Sequence, residues 1–326
     1  MPGYADMSGT QVSVCIPTYN QERFLEETLD SVICQSYVNF EVLVIDDCST
    51  DLTGEIAREY AIRDPRFRFL ANPATLGMVP NWNRCLEMAQ GTYVKFLFGD
   101  DLLISPDTLG RMVAILDEER DVSLVASARV VIDEESRVVE TLAGFPDGAR
   151  IPGKVLIKSC LDGFFQQHNR IGEPSVVMFR KDTASRGFDP RYRQLVDLEM
   201  WFHLLEQGTF AYLKEPLCAF RSHSEQQTAK NRENLCYIND MFYLLNDYLG
   251  RTYVGVGQFA KRYALFRLAY FFWKSLGDRK IALQRIGTHI PPWIFFLQLA
   301  LYRLAVPFIN LRRSITKRWR KWEAGR

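Results

Sequence analysis

The first hundred residues alternate between short apolar runs and longer amphipathic segments. Short runs rich in Val, Ile and Phe that end at turn residues indicate buried strands, and apolar residues at every third or fourth position indicate helices that face a core. This pattern predicts strands over 11–17, 40–45, 67–70 and 93–98, and helices over 21–36, 53–63 and 79–90. Because strands and helices alternate with short connections, we expect an α/β domain with a mixed, mainly parallel sheet flanked by helices.

Polar clusters follow three of these strands, at the point where each strand ends. They are residues 18–20 (Thr-Tyr-Asn), 46–47 (Asp-Asp) and 100–101 (Asp-Asp). The carboxyl ends of parallel strands share one edge of a sheet, and open α/β sheets bind their ligands beyond that edge. Each cluster alone is also typical of an ordinary turn, but three of them at one edge favour a binding site.

The second half of the chain is less regular. Further helices are predicted over 108–119 and 194–207, and extended segments over 123–132, 175–180 and 210–220. From about residue 231 the segments 234–249, 257–276 and 278–287 are helical in pattern and rich in Tyr, Phe and Leu. We therefore predict a sheet domain at 1–230 and a helical region at 231–326.

Charge is distributed unevenly along the chain. The 326 residues are 47% apolar with a net charge of +1, which is typical of a folded protein and does not indicate a nucleic-acid partner. Residues 310–326 alone carry a net charge of +6, so the rest of the chain sums to −5. A basic tail on a mildly acidic body predicts an anionic surface as the partner of the tail.

The seven cysteines are scattered and form no CxxC pair. Cysteines in this pattern are typical of a reduced, cytosolic compartment. The polar segment 1–10 lacks the apolar core of a secretion signal. We therefore expect a cytoplasmic protein.

Four sequence fragments occur in an order that resembles a known enzyme family. They are 14–20 (VCIPTYN), 44–51 (VIDDCSTD), 76–83 (LGMVPNWN) and 89–93 (AQGTY). Together they resemble the inverting, family-two nucleotide-sugar glycosyltransferases of the bacterial surface-polysaccharide type, which have a GT-A (Rossmann-like) fold. The resemblance covers about residues 11–225, with Cys48 where the family usually has glycine.

The resemblance implies a binding site for a nucleoside-diphosphate sugar. An aromatic wall, carboxylates that accept hydrogen bonds from the base or ribose, and charge neutralisation of the diphosphate are the groups such a donor needs. The residues assigned to donor binding are Pro17, Thr18, Tyr19, Asn20, Asp46, Asp47, Asn83, Asp100, Glu173 and Arg221.

The resemblance also implies a divalent metal ion, Mn²⁺ or Mg²⁺. Two adjacent carboxylates at the end of a buried strand repel each other unless a cation offsets their charge, and carboxylate oxygens suit these ions. The residues assigned to the metal are Asp100, Asp101 and His223. The family often has another aspartate two residues before Asp100, and this chain has Phe98 there. We therefore expect the metal to rest mainly on Asp101, with Asp100 assisting.

Asp197 resembles the family's general base, an aspartate that precedes a helical tryptophan, here Trp201. An inverting transfer needs one carboxylate to accept the proton of the attacking hydroxyl group. The alternative is that Asp197 only stabilises the N-terminus of its helix through the helix dipole. Val196 stands where the family usually has glutamate.

Residues 293–309 are mostly apolar but include Gln298 and Arg303. Because a spanning helix needs about 20 apolar residues, we expect a helix that lies in the interface of the cytoplasmic membrane, with a polyprenyl-linked saccharide as the acceptor. The alternatives are that this helix packs on the protein body or that the protein dimerises through it.

A second function also fits the sequence. Phe98 and Val196 depart from the family pattern, so a catalytically idle, membrane-bound nucleotide-binding scaffold is the alternative. A nucleotidyltransferase is disfavoured, because residues 17–22 (PTYNQE) are not the basic, glycine-rich loop that such an enzyme needs.

Overall fold

The computed structural model describes residues 9, 11–162, 170–224, 226 and 235–301. The chain divides into two compact units between Tyr237 and Ile238. The domain boundary predicted at residue 230 lies outside the described residues and stays a prediction.

Within the described residues, the first unit is built on one ten-stranded sheet. Its strands are β1 Val12–Thr18, β2 Phe40–Asp46, β3 Phe67–Ala71, β4 Tyr93–Phe96, β5 Leu102–Leu103, β6 Val122–Ile132, β7 Val138–Leu142, β8 Arg150–Pro152, β9 Val177–Arg180 and β10 Thr209–Arg221. The order is β3-β2-β1-β4-β9-β6-β10-β5, with β7 paired to β6 and β8 to β10. Strands β1 to β4 are parallel, as are β6 and β10, whereas β9 runs antiparallel between β4 and β6. The expected mixed, mainly parallel sheet is confirmed.

Helices connect these strands, as the apolar periodicity predicted. They are α1 Leu25–Ile33, α2 Thr53–Arg63, α3 Met78–Met88, α4 Thr108–Glu118, α5 Gly153–Asp162 and α6 Val196–Leu205. In α1, Leu25, Leu29 and Val32 are fully buried. This spacing of three or four residues places them on one side of the helix, which packs on the core.

The sequence did not predict three of the strands. β7 is exposed along nearly all of its length, so its sequence lacks the apolar alternation of a half-buried strand. β5 and β8 contain only two and three residues, too few to show any periodicity.

The strand ends meet at one edge of the sheet. Thr18 at the end of β1 lies opposite Asp46 at the end of β2, and Asp46 lies opposite Ala71 at the end of β3. The clusters that follow β1 and β2 therefore start side by side, as expected for parallel strands.

The second unit is helical in its described part. It contains α7 Cys236–Tyr248, which begins two residues before the unit boundary, α8 Gln258–Ser275 and α9 Arg279–Gly287, and residues 292–301 are also helical. Phe295, in the last of these helices, is buried and lies 6.0 Å from Phe266 and 6.1 Å from Trp273 of α8 between ring centroids.

None of the helices in the described ranges is both long enough and apolar enough to cross a membrane. Of the predicted interfacial helix, residues 302–309 lie outside the described part of the chain, as does the basic tail.

Candidate active site

The turns after β1 and β2 are joined by hydrogen bonds around Asp46. The Thr18 hydroxyl donates to Asp46 Oδ1 over 3.3 Å, and the backbone N–H of Ser49 donates to Asp46 Oδ2 over 3.0 Å. Asn20 accepts the backbone N–H of Thr50 over 2.9 Å. These bonds hold Tyr19, whose side chain is 49% exposed, at the edge of the sheet. An exposed aromatic ring beside a buried carboxylate is suited to a nucleobase.

Asp47 holds the loop that follows β3. Its carboxylate accepts the backbone N–H groups of Leu76 and Gly77, each over 2.8 Å, and the side-chain amide of Asn72 over 2.8 Å. Both oxygens therefore bond within the protein and hold this loop, and the donor contact predicted for Asp47 stays a prediction.

The Asp100 carboxylate meets His223 at the end of the sheet. Asp100 Oδ2 and His223 Nε2 are 2.9 Å apart, although 123 residues separate them in sequence. The imidazole ring also packs on Phe24, with ring centroids 5.1 Å apart. A carboxylate and an imidazole at this distance could both face one cation.

Asp101 is fully buried behind this pair. Its Oδ1 accepts the backbone N–H of Arg221 over 2.9 Å, and within the described residues its Oδ2 has no hydrogen-bond partner. Burial, followed by the nearby charge of Asp100, raises the pKa of the Asp101 carboxyl well above its usual range. Of the two aspartates, Asp100 is the one beside His223, and the metal contact predicted mainly for Asp101 stays a prediction.

Arg221 is fully buried and supports both aspartates. Its Nε donates to the backbone carbonyl of Asp100 over 2.8 Å. Its other side-chain N–H groups donate to Glu27 over 2.6 Å, to Ser136 over 2.9 Å and to the Asp133 carbonyl over 3.0 Å. The guanidinium is thus bonded within the protein, and the donor contact predicted for Arg221 stays a prediction.

Asp197 is the second residue of α6 and is partly buried. Its Oδ1 accepts the backbone N–H of Leu198 over 2.7 Å. Farther along the helix, the buried Glu199 pairs with Arg186 through two contacts of 2.9 and 2.7 Å, and the Trp201 indole donates to the Gly172 carbonyl over 3.0 Å. These contacts fix the helix that carries Asp197.

Asn83 and Glu173 also make contacts within the protein. The Asn83 amide donates to the Phe188 carbonyl over 2.9 Å and accepts the Phe188 N–H over 2.7 Å, so it braces the loop before α6. Glu173 forms an ion pair with Arg129 over 2.6 Å. Both ends of the Asn83 amide are bonded within the protein, and the nucleotide contact predicted for Asn83 stays a prediction.

Phe98 occupies the position of the family's additional aspartate. Its ring packs on Trp82 with centroids 5.0 Å apart, and its backbone N–H donates to the Ser175 hydroxyl over 3.0 Å. The chain therefore has an aromatic contact here and no third carboxylate.

Sequence reasoning missed the support beneath the site. Lys95 of β4 is fully buried and donates to the backbone carbonyl of Ser175. Burial lowers the pKa of the Lys95 ammonium. A lysine inside the apolar run 93–98 was the available signal, because a buried charge needs partners.

These side chains are suited to a divalent metal ion whose remaining ligands come from the substrate. In the described part of the chain, no group of three His, Cys, Asp or Glu side chains is arranged to hold a metal ion. Asp100 and His223 would supply two ligands, and Mg²⁺-type ions commonly bind one or two protein groups together with substrate phosphate oxygens.

Comparison with known proteins identifies the family. The family model described as Glycosyl transferase family 2 matches residues 13–176. The putative glycosyltransferase EpsE of Bacillus subtilis (strain 168) is 32% identical over 228 residues, which are 67% of this chain and 75% of EpsE.

Two solved structures share the fold. The crystal structure of S. aureus TarS 1-349 in complex with UDP-GlcNAc has a TM-score of 0.60 at 20% identity, over 80% of this chain and 71% of that one. Mannosyltransferase PcManGT from Pyrobaculum calidifontis in complex with GDP-Man and Mn²⁺ has a TM-score of 0.53 at 19% identity, over 92% of this chain and 82% of that one. The sheet order thus has the GT-A arrangement, and since the family match spans half of the sequence, the chain belongs to glycosyl transferase family 2.

Proposed function

We propose that this glycosyltransferase moves a sugar from a nucleoside-diphosphate sugar to a hydroxyl group of a saccharide acceptor, with inversion at the anomeric carbon. The observation that carries the proposal is the Asp100–His223 pair at the same sheet edge as Tyr19 and Asp46. The nucleotide sugars bound to TarS and PcManGT support this class of donor.

In this proposal Asp100 and His223 hold Mn²⁺ or Mg²⁺, and Asp101 supports them from behind. The Mn²⁺ in PcManGT supports the choice of ion. When bound, the ion offsets the negative charge that develops on the departing diphosphate. Asp46 accepts hydrogen bonds from the nucleoside. Tyr19 covers the base, and Pro17, Thr18 and Asn20 of the same turn also contact the nucleotide. Glu173, beside Gly172, contacts the sugar or the acceptor.

Asp197 is the proposed general base. It accepts the proton of the acceptor hydroxyl while the oxygen attacks the anomeric carbon and the nucleoside diphosphate leaves. Its place at the first turn of a helix that Glu199 and Trp201 fix supports this role.

The substitution Asp197→Asn tests the proposal. We expect sugar transfer to fall by about 10²–10⁴-fold, because the amide cannot accept the proton. Nucleotide affinity, measured by calorimetry, stays near the wild-type value. The matched control is Glu55→Gln, an exposed acid in the first turn of α2, which leaves transfer unchanged.

Two results would contradict parts of the proposal. Unchanged transfer by the Asp197→Asn variant excludes Asp197 as the base. A wild-type protein that binds nucleotides but neither transfers nor hydrolyses any of a panel of donors, with Mn²⁺ or with Mg²⁺, is the idle scaffold instead.

The acceptor is proposed to be a polyprenyl-linked saccharide of a surface polysaccharide, at the cytoplasmic face of the membrane. The apolar residues Trp293, Phe296 and Leu297, which are exposed on the helix over 292–301, support a membrane surface as partner, as does the basic tail. A homodimer through this helix is the competing arrangement.

A further inference from the structure

Helix α8 carries apolar residues on both of its sides. Phe266, Leu268, Ala269 and Phe272 are buried in the second unit. Three other aromatic side chains of the same helix are exposed: Phe259 at 85%, Tyr263 at 42% and Phe271 at 52%. Exposed apolar side chains that form one continuous patch commonly mark an interaction surface, so these aromatic residues of α8 indicate a partner.

The exposed residues form one stripe. At about 100° per residue, Phe259, Tyr263, Arg267, Phe271 and Lys274 fall within an arc of about 120° on α8. With Phe259 at 0°, the four buried residues span about 180–340°, the part of the circumference outside the stripe. We call these five residues the α8 stripe. It combines aromatic rings with long cationic side chains, which is the composition of helices that lie at a membrane interface.

The net positive charge of the second unit favours an anionic partner. Residues 238–326 contain 16 Lys and Arg against four Asp and Glu, a net charge of +12, whereas residues 1–237 sum to −11. Within 238–301 alone the net charge is +5. An anionic bilayer attracts such a unit and also accepts aromatic side chains, whereas a second copy of this chain would bring an equally basic surface against it.

We infer that the α8 stripe is a membrane-contact surface for anionic lipid, in addition to the C-terminal tail. Its rings enter the headgroup layer while Arg267 and Lys274 contact lipid phosphates. The inference rests on the membrane association proposed above. It adds the α8 stripe, a folded surface, to the C-terminal segment as a second site of membrane contact. It does not depend on glycosyl transfer.

The test uses the full chain and vesicle flotation. The stripe variant replaces Phe259, Tyr263 and Phe271 with Ser. The matched control replaces Val38, Ile62 and Val155 with Ser, because these residues of the first unit are similarly exposed, at 74%, 79% and 58%. The vesicles contain either phosphatidylcholine with phosphatidylglycerol or phosphatidylcholine alone.

We expect the stripe variant to bind the anionic vesicles at least about tenfold more weakly than the wild type, and the control to bind like the wild type. Wild-type binding is weaker on phosphatidylcholine alone and falls with added salt, because salt screens the headgroup charge. A second variant, Arg267→Gln with Lys274→Gln, keeps the rings and lowers binding only on the anionic vesicles.

Several results would overturn the inference. One is equal vesicle binding by the stripe variant and the wild type. Another is a wild-type dimer that the stripe substitutions convert to monomer without a change in vesicle binding, which makes the stripe an interface between copies. Donor hydrolysis in solution is measured in parallel, so a failure of the proposed transferase activity is seen separately from a failure of membrane binding.

Discussion

Individual residues of the site divide into those that face the edge of the sheet and those that support it. Tyr19 is exposed there, whereas Asp47, Asn83 and Arg221 are bonded to other parts of the protein. All four belong to the family resemblance. A residue that matches a family motif can therefore hold a loop of the site in addition to any contact with the substrate.

Cys48 is a single residue in an unfavourable backbone conformation. Its φ is +68°, in the left-handed region that favours glycine. We expect Cys48→Gly to raise the free energy of unfolding by about 0.5–1 kcal/mol, because relief of the backbone strain exceeds the added entropy of the unfolded chain. The midpoint of urea denaturation measures this change.

The control for this prediction is Cys34→Gly. Cys34 is also exposed but has a φ of −72°, so glycine there only adds entropy to the unfolded chain and lowers the midpoint. Midpoints that move in the same direction for both variants would contradict the explanation by strain.

At the scale of elements, the site lies where the ends of two strands meet. Asp100 follows β4, and His223 follows β10, which belongs to the other half of the sheet. Arg221, the last residue of β10, bonds to the main chain of Asp100 and to the side chain of Asp101. The end of β10 thus fixes the carboxylates that follow β4, and a metal site made from them depends on both elements.

The substitution His223→Gln tests this arrangement. We expect Mn²⁺ affinity, measured by calorimetry in the presence of a nucleoside diphosphate, to fall at least about tenfold, because one of the two proposed protein ligands is replaced by a weaker one. His203→Gln on α6 is the control and leaves the affinity unchanged. Equal affinities in the wild type and the His223→Gln variant would remove His223 from the metal site.

At the scale of the whole molecule, the two units carry opposite charge. The first unit, which contains the site, is acidic, and the helical second unit is basic. Phe295 and Leu299 are buried within the second unit, so a deletion of 291–326 would remove part of its core. A truncation that removes the basic tail and keeps this core therefore ends at Leu301.

We expect deletion of residues 302–326, which carry a net charge of +7, to weaken binding to anionic vesicles and to reduce its dependence on salt. Donor hydrolysis in solution remains, because the proposed site lies wholly in the first unit. Flotation across a salt series measures the first effect. A truncated protein that floats like the full chain would show that the tail does not contribute.

The sequence by itself determined the order and type of most elements. Helix α2 has the predicted bounds, and β2 and β3 differ from theirs by one residue, because apolar periodicity follows directly from backbone geometry. It also determined which family the chain resembles, since the strand-end motifs are local in sequence.

Only the tertiary structure decided how distant segments meet. The insertion of β9 between β4 and β6, the contact of Asp100 with His223, and the burial of Arg221 all join residues far apart in the chain. The exposure of the α8 stripe was likewise hidden, because an apolar residue has the same local pattern whether it faces a core or solvent. Periodicity shows that a helix has an apolar side, but packing decides which apolar side is covered.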